Sequence, residues 1–464
     1  MTTTTAATTT ATAAPAATAP AISSASTGAV RRPGPAGSML IVETNHAIPL
    51  VYVTVAARGG YAADPHRRDG LTNLATELAR RGAGKRSREQ LDAALDELGA
   101  TLDVDTDADS VRLVGQVLAR NLDPFLAFLG DIVVRPRLDA AELERTRREI
   151  AAQIDEARND DQTLCARFFT RNLYGDHPYG RAAEGTRATL GDITADEVAA
   201  HFRKQFVGAN LIFAASGDVE PADLAQRLGR AFTGLSAGPA ERPPALRVPV
   251  PPSGWRIQLV DKPERQQAQI MFGHAGPPAS DPDFVPFQVA LAAFGGHGMT
   301  STLMEEVRTK RGLAYGAYMT LSERRGAGAV AGWVFSSNDK VVATLKLVLK
   351  LYLRFMEKGL DAARVDAFKA FLVGSHASAI DAPDRRLEAR VSAEVVGLPG
   401  DFVDTLADRV RAVTLEQVNA AITRRVHARD LAITMVSTAS VVKRLLVAAK
   451  IKEEAIDVVD FEGD

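Results

Sequence analysis

Few residues in this 464-residue chain are spaced for chemistry. Eight histidines are scattered, and no two stand three or four residues apart. A zinc site needs several N, S or O ligands to converge, often two histidines one turn apart on a helix, and this spacing supplies none. Cys165, the sole cysteine, lies in Leu164-Cys-Ala-Arg-Phe168 with no base nearby in sequence. It reads as a packed helix cysteine rather than a nucleophile, and a single cysteine excludes an internal disulfide framework. Gly82-Ala-Gly84-Lys85-Arg-Ser87 has the look of a phosphate loop. The glycine required five before Gly84 is Ala79, the residue after the lysine is Arg86, and a helix precedes the segment where a strand is needed. It reads as a helix–helix loop.

The elements around these residues follow from periodicity. Ordered pattern begins at Leu40-Ile41-Val42, and Val51–Val55 reads as a strand. Leu71, Leu74, Ala75 and Leu78 keep the i, i+3, i+4, i+7 spacing of a helix. Ser87 with Gln90 forms a capping box for a second helix, which Gly99 ends. Thr101–Thr106 and Ser110–Leu118 alternate as a hairpin. Helices follow near Asp123–Val134 and Asp139–Asn159.

The most informative feature is an internal repeat. Ile193-Thr-Ala-Asp-Glu-Val198 and then Asn210-Leu-Ile-Phe-Ala-Ala215 recur as Val413-Thr-Leu-Glu-Gln-Val418 and then Asp430-Leu-Ala-Ile-Thr-Met435. Val198 and Val418 are 220 residues apart, as are Leu211 and Leu431, and the Asp64-Pro65 and Asp281-Pro282 loops are 217 apart. The fold class implied is α+β: two homologous halves, each a mostly antiparallel sheet against helices, joined by a proline-rich linker. The expected division is a disordered Thr/Ala/Pro-rich tail over 1–38, a first half over 39–233, a linker over 234–254, a second half over 255–440, and a C-terminal helix with a solvated acidic tail over 441–464. The tail lacks the basic n-region and apolar core of a signal peptide. A cytoplasmic location is therefore expected, a periplasmic one requiring a non-standard signal, and a start at Met39 is an alternative.

Lys+Arg (55) nearly balances Asp+Glu (57), so the strongly basic footprint of a nucleic-acid binder is missing. No apolar run of 18 residues exists, so no membrane span is expected.

Phrases along the chain carry a family resemblance. They are Gly82–Gly99, His177-Pro-Tyr-Gly180 followed by Gly185, Phe294-Gly-Gly-His-Gly298, Ser301-Thr-Leu-Met-Glu-Glu-Val-Arg308 and Arg311-Gly-Leu-Ala-Tyr315. Together with the repeat they resemble the pitrilysin/insulinase zinc-peptidase family, especially two-repeat members such as mitochondrial processing peptidase subunits. The family signature is His-x-x-Glu-His on the first helix, with a distant Glu as third ligand. Leu71 and Leu78 set the register of the match. Asn73 then stands for the first histidine, Thr76 for the general base and Glu77 for the second histidine. Gln153, 76 residues after Glu77, stands for the third ligand, and an alternative frame puts Glu149 there. No imidazole remains, so no metal is expected in this chain. A relic Mg²⁺ or Ca²⁺ site would rest on Glu77 and Glu149, against a salt-bridged helix face as the plain alternative.

The resemblance also implies a role for the second half. In the family an Arg and a Tyr seven residues apart reach the zinc site of another half or subunit, hold the substrate backbone and stabilise the oxyanion. Arg308 and Tyr315 match them. A guanidinium fork grips carbonyl oxygens and a phenol donates to a developing alkoxide; the plain alternative is an ion-paired Arg308 and a packed Tyr315. The expectation is a zinc-motif-lacking subunit of a heterodimer, inactive alone, that cleaves unfolded peptides with a homologous zinc-binding partner. The rival is an inert scaffold or peptide-binding protein with no such partner.

Overall fold

The computed structural model describes residues 28–239, 246, 249–250, 252–296 and 298–463. Each half builds one six-stranded sheet. In the first, β1 (Val30–Pro33), β2 (Met39–Thr44), β3 (Leu50–Arg58), β6 (Thr101–Thr106), β7 (Ser110–Leu118) and β8 (Leu211–Gly217) run in the order β1-β2-β8-β3-β7-β6. A two-residue ladder, β4 (Gly82–Ala83) with β5 (Arg86–Ser87), forms the loop that looked like a phosphate site. In the second sheet, β9 (Trp255–Asp261), β10 (Gln267–Ala275), β11 (Ala317–Leu321), β12 (Ala329–Ser337), β13 (Leu431–Ser437) and β14 (Ile456–Asp460) run β11-β12-β10-β13-β9-β14. Read from opposite ends the two orders coincide. The parallel pair β2–β8 answers β9–β13, and the other pairings are antiparallel except that of the edge strand β14 with β9, which is parallel.

The repeated phrases have a physical reason. Thr194 and Thr414 each accept from the N–H three residues on, and Glu197 and Gln417 return the bond, so both are capping boxes opening equivalent helices. Each helix feeds a fully buried seven-residue strand, β8 or β13.

Two segments differ from expectation. The tail does not reach residue 38: β1 pairs antiparallel with β2 in the register Val30↔Val42, and Arg31 bridges Glu394 at 3.4 Å. Four residues with one large apolar side chain carry no legible pattern, yet pairing with an adjacent strand satisfies their backbone. The acidic end is likewise no solvated tail, because β14 adds parallel to β9, Ile456 to Ile257 through Asp460 to Asp261. The remainder of the expected tail, residues 1–27, and most of the proline-rich stretch lie outside the described residues.

The halves exchange helices. Asp161–Tyr174, from the first half, lies on the second sheet, where Leu164, Cys165 and Phe168 pack with Val260 and Val436. Pro383–Val395, from the second half, lies on the first sheet, where Leu387 and Val391 pack with Ile41, Ala56 and Ile212. Cys165 is fully buried, its Sγ 3.5 Å from the Thr434 carbonyl, and burial pushes the thiol up to about 12. This agrees with its reading as a packing residue.

Candidate functional site: the altered motif helix and the Arg308–Tyr315 connection

The helix carrying the altered motif runs Leu71–Ala79. Gly70 opens it at φ +91, and a Cβ there would lie 2.6 Å from the Glu184 carbonyl, so the position needs glycine. Asp64 caps the helix from the preceding loop. Its carboxylate accepts the N–H of Gly70 and of Thr72, each at 2.9 Å, and the Thr72 hydroxyl at 2.6 Å. That hydroxyl also lies 2.8 Å from His201 Nε2. Burial pushes the Asp64 carboxyl up to about 7, against the pull of these hydrogen bonds.

Three of the positions expected for the motif are engaged in local contacts. Asn73 Oδ1 accepts from the Thr106 hydroxyl of β6 at 3.1 Å. Thr76 is buried and its hydroxyl donates to the Thr72 carbonyl at 2.9 Å, so it offers no base. Glu77 lies 3.8 Å from both Arg80 and Arg81. Glu149, on helix Ala140–Ala157, meets Arg81 at 2.8 Å, Arg88 at 3.1 Å and Arg145 at 3.3 Å. Burial opposes ionisation of Glu149, but the Arg88 hydrogen bond and the charges of Arg81, Arg88 and Arg145 outweigh it and hold the carboxyl below its ordinary range. Gln153 is exposed.

Arg81 thus joins Glu77 to Glu149, and Gln153 stands outside the pair. Among the described residues no three His, Cys, Asp or Glu side chains are grouped to hold a metal ion. The donor set does not fit zinc. It offers no imidazole, one amide already accepting a hydrogen bond, and two carboxylates already neutralised by guanidinium groups that would repel a dication. Sequence reasoning missed Arg81. The signal was present, since Arg80 and Arg81 stand three and four residues after Glu77, just past the end of its helix.

The second candidate pair lies on the connection from helix to β11. Met304–Thr309 is a π-helical turn, with Lys310 N–H bonded to the Glu305 carbonyl at 2.9 Å. Such turns widen a helix locally and are frequent at functional sites. The neighbouring cations are committed: Lys310 bridges Glu305 and Glu306 at 2.8 Å each, and Arg311 bridges Glu306. Arg308 is exposed and makes no ion pair among the described residues; its Nη1 lies 3.7 Å from Met299 Sδ. Gly312, at φ +57, then turns the chain, and Tyr315, two residues before β11, has 77% of its surface exposed. Its ring lies over Phe335 at 6.3 Å between centroids, the first of a strip that continues through Trp333 to Tyr318. The two residues flank one turn and make no hydrogen bond to each other. Nothing in the sequence reading pointed to Phe335, which steadies the ring without burying it. No helix among the described residues is long and apolar enough to cross a membrane.

Known proteins resemble this chain in sequence and in fold. Residues 39–187 match the model of the insulinase family (peptidase family M16), and residues 192–372 match that of the peptidase M16 inactive domain. The chain is 25% identical over 400 residues to a Helicobacter pylori protein named non-peptidase homolog YmxG, covering 86% of this chain and 91% of that one. It is also 25% identical over 399 residues to a Streptomyces coelicolor protein named as a zinc protease, covering 85% of this chain and 86% of that one. Among solved structures, a peptidase M16 inactive domain from Pseudomonas fluorescens superposes with a TM-score of 0.81 at 22% identity, over 88% of this chain and 97% of that one. A chain of complex III2 from Candida albicans gives 0.77 at 16% identity, over 92% and 100%. This chain belongs to the insulinase (peptidase M16) family.

Proposed function

We propose that this chain is the non-zinc-binding subunit of a two-chain peptidase acting on unfolded peptides. A homologous partner would carry the zinc and the general base, and this chain would present Arg308 and Tyr315 to it. The observation that carries the reading is the state of those two side chains. In a chain rich in arginine–carboxylate pairs, Arg308 has no acid partner among the described residues, while Lys310 and Arg311 beside it do. Tyr315 keeps its ring braced by Phe335 and its surface open. An unpaired guanidinium is available to grip a carbonyl, and a phenol on a braced ring can donate to an oxyanion. The occupation of Glu77 and Glu149 by arginines supports a division of labour in which this chain holds no metal.

The test uses the reconstituted pair on an unfolded peptide, with the complex checked by size exclusion. Tyr315→Phe keeps the ring and removes one donor, and turnover is expected to fall about 10²–10³-fold. Arg308→Lys keeps charge but loses the fork, so it should chiefly weaken substrate binding. Unchanged turnover in Tyr315→Phe with the complex intact would refute the reading. Dissociation of the complex would make the pair structural and favour the inert scaffold.

A further inference from the structure

The turns of two hairpins, β6–β7 and β11–β12, meet at the junction of the halves. With helix Pro383–Val395 they line a cavity of about 610 Å³. That volume lies within the range of small-molecule sites. Ile380, Val396 and Phe402 supply an apolar wall. Charged side chains from both hairpin turns and from the helix face that wall, and most of them are settled one after another. Asp107 accepts the Ser110 N–H at 2.8 Å and faces Arg112 at 3.4 Å and Arg324 at 3.6 Å. Asp109 accepts the Tyr179 hydroxyl at 2.7 Å and the Arg325 N–H at 3.0 Å. Glu388 accepts from the Thr54 hydroxyl at 2.6 Å and from Arg112 at 2.9 Å.

Glu323 is the exception. It lines the cavity yet makes no hydrogen bond or ion pair among the described residues, and burial raises its pKa. The arginines within reach are committed to Asp107 and Glu388. Arg385 also lines the cavity without an ion pair among the described residues, but it is exposed, so water screens its charge. A partly desolvated carboxylate without a counter-charge is costly to hold. A metal ion does not answer it, because Mg²⁺ and Ca²⁺ need about six or more oxygens and the neighbouring carboxylates are taken.

We propose that this cavity is a binding site for a primary ammonium carried on an apolar chain, with the ammonium paired to Glu323 and the chain laid against Ile380, Val396 and Phe402. The group is borne by a free alkylamine or by the N-terminus of an apolar peptide. The cavity differs from the Arg308–Tyr315 connection, so the proposal stands apart from the peptidase reading.

Calorimetric titration of the full chain near neutral pH tests it, with n-hexylamine, hexan-1-ol and hexanoate as probes. Hexylamine is expected to bind at least about tenfold more tightly than hexanol, and hexanoate not at all. Glu323→Gln should weaken hexylamine about tenfold and leave hexanol unchanged. Ala389→Phe, which fills the cavity from its helix, should abolish binding of both. An apolar hexapeptide without lysine, free and N-acetylated, separates the sources. Binding of the free form alone assigns the site to a peptide terminus; failure of both peptides beside bound hexylamine assigns it to a free amine. Equal affinity for hexylamine and hexanol overturns the proposal. So does undiminished hexylamine binding in Glu323→Gln of unchanged melting temperature, or no hexylamine binding at about 10 mM. Should Glu323→Gln fail to fold, the comparison of hexylamine with hexanol on the wild-type chain decides.

Discussion

The two halves share a backbone plan and differ in what fills the equivalent helix. At the 217-residue spacing of the Asp-Pro loops, Asn73, Thr76 and Glu77 correspond to Ala290, Ala293 and Phe294 on helix Phe284–Gly295. All three of the latter are buried, and Phe294 stacks on Phe355 at 4.6 Å. The first helix instead keeps polar side chains, each with a local partner: Thr106 for Asn73, Arg80 and Arg81 for Glu77. One half has turned the helix face into core. The other keeps a polar face, with Glu77 met by guanidinium groups. A helix in this place therefore need not be apolar core, because its carboxylate can be met by arginines just past its own C-terminus.

The exchange of helices gives a second contrast. Helix Pro383–Val395 is pinned to the first sheet by Glu43, which is 4% exposed and accepts from both Arg386 and Arg390; Arg390 in turn holds Asp404 at 2.7 Å. Helix Asp161–Tyr174 is tied to the second sheet by Asp161, partly exposed, which meets Lys262 and Arg265. Removing one member of a buried ion cluster strands the others. Glu43→Ala should thus cost about 3–5 kcal/mol. Asp161→Ala leaves Lys262 with the Arg158 and Asn159 carbonyls and should cost only about 1 kcal/mol. Denaturant unfolding of both variants checks the order. Equal losses would show that the two dockings are energetically alike.

A smaller effect separates the two Asp-Pro loops by pH. Asp64, raised when folded to about 7 from 3.8, binds a proton more readily in the folded state. Its contribution is fully present below the unfolded value and is lost as pH rises from about 4 to 7. Asp283, in the corresponding loop, is held below its ordinary range, first by the Arg424 hydrogen bond. Its contribution is present above the unfolded value and is lost as pH falls. Asp64→Asn should flatten the first slope and Asp283→Asn the second, in melting temperatures measured against pH. Parallel slopes in both variants would remove the distinction.

Much of this fold was legible in advance because its signals are local. The Ser87–Gln90 box, the Gly99 stop and the 101–118 hairpin appear as expected, since caps and alternation depend on neighbours in sequence. The repeat was legible because Thr194 and Thr414 perform one task twice. What was not legible is non-local. Nothing in Asp161–Tyr174 says that it crosses to the other sheet. Val30–Pro33 and Ile456–Asp460 are too short to show a period before their partners are known. At the candidate site, residue types could be named from sequence but their environment could not: Arg81 between two carboxylates, and the lack of an acid beside Arg308 among the described residues, emerge only from packing.

The smallest expected effect sharpens the contrast between the helices most. Placing histidines at positions 73 and 77, by Asn73→His and Glu77→His, recreates two ligands one turn apart on a face that already has space for polar groups. Metal retention should nonetheless stay near zero. Glu149, the carboxylate nearest that face, is held by Arg81, Arg88 and Arg145, and a dication would have to displace three guanidinium groups to reach it. Thr76 would still supply no base, because its hydroxyl is spent on the Thr72 carbonyl. Adding Arg81→Ser, Arg88→Ser and Arg145→Ser to the pair frees Glu149 of all three cations, and only that fivefold variant should gain zinc. Elemental analysis after mild chelation reads the outcome for each protein. About one zinc per chain in the double variant would show that the arginines do not guard the site, and that the polar face differs from a metal site only in its missing imidazoles.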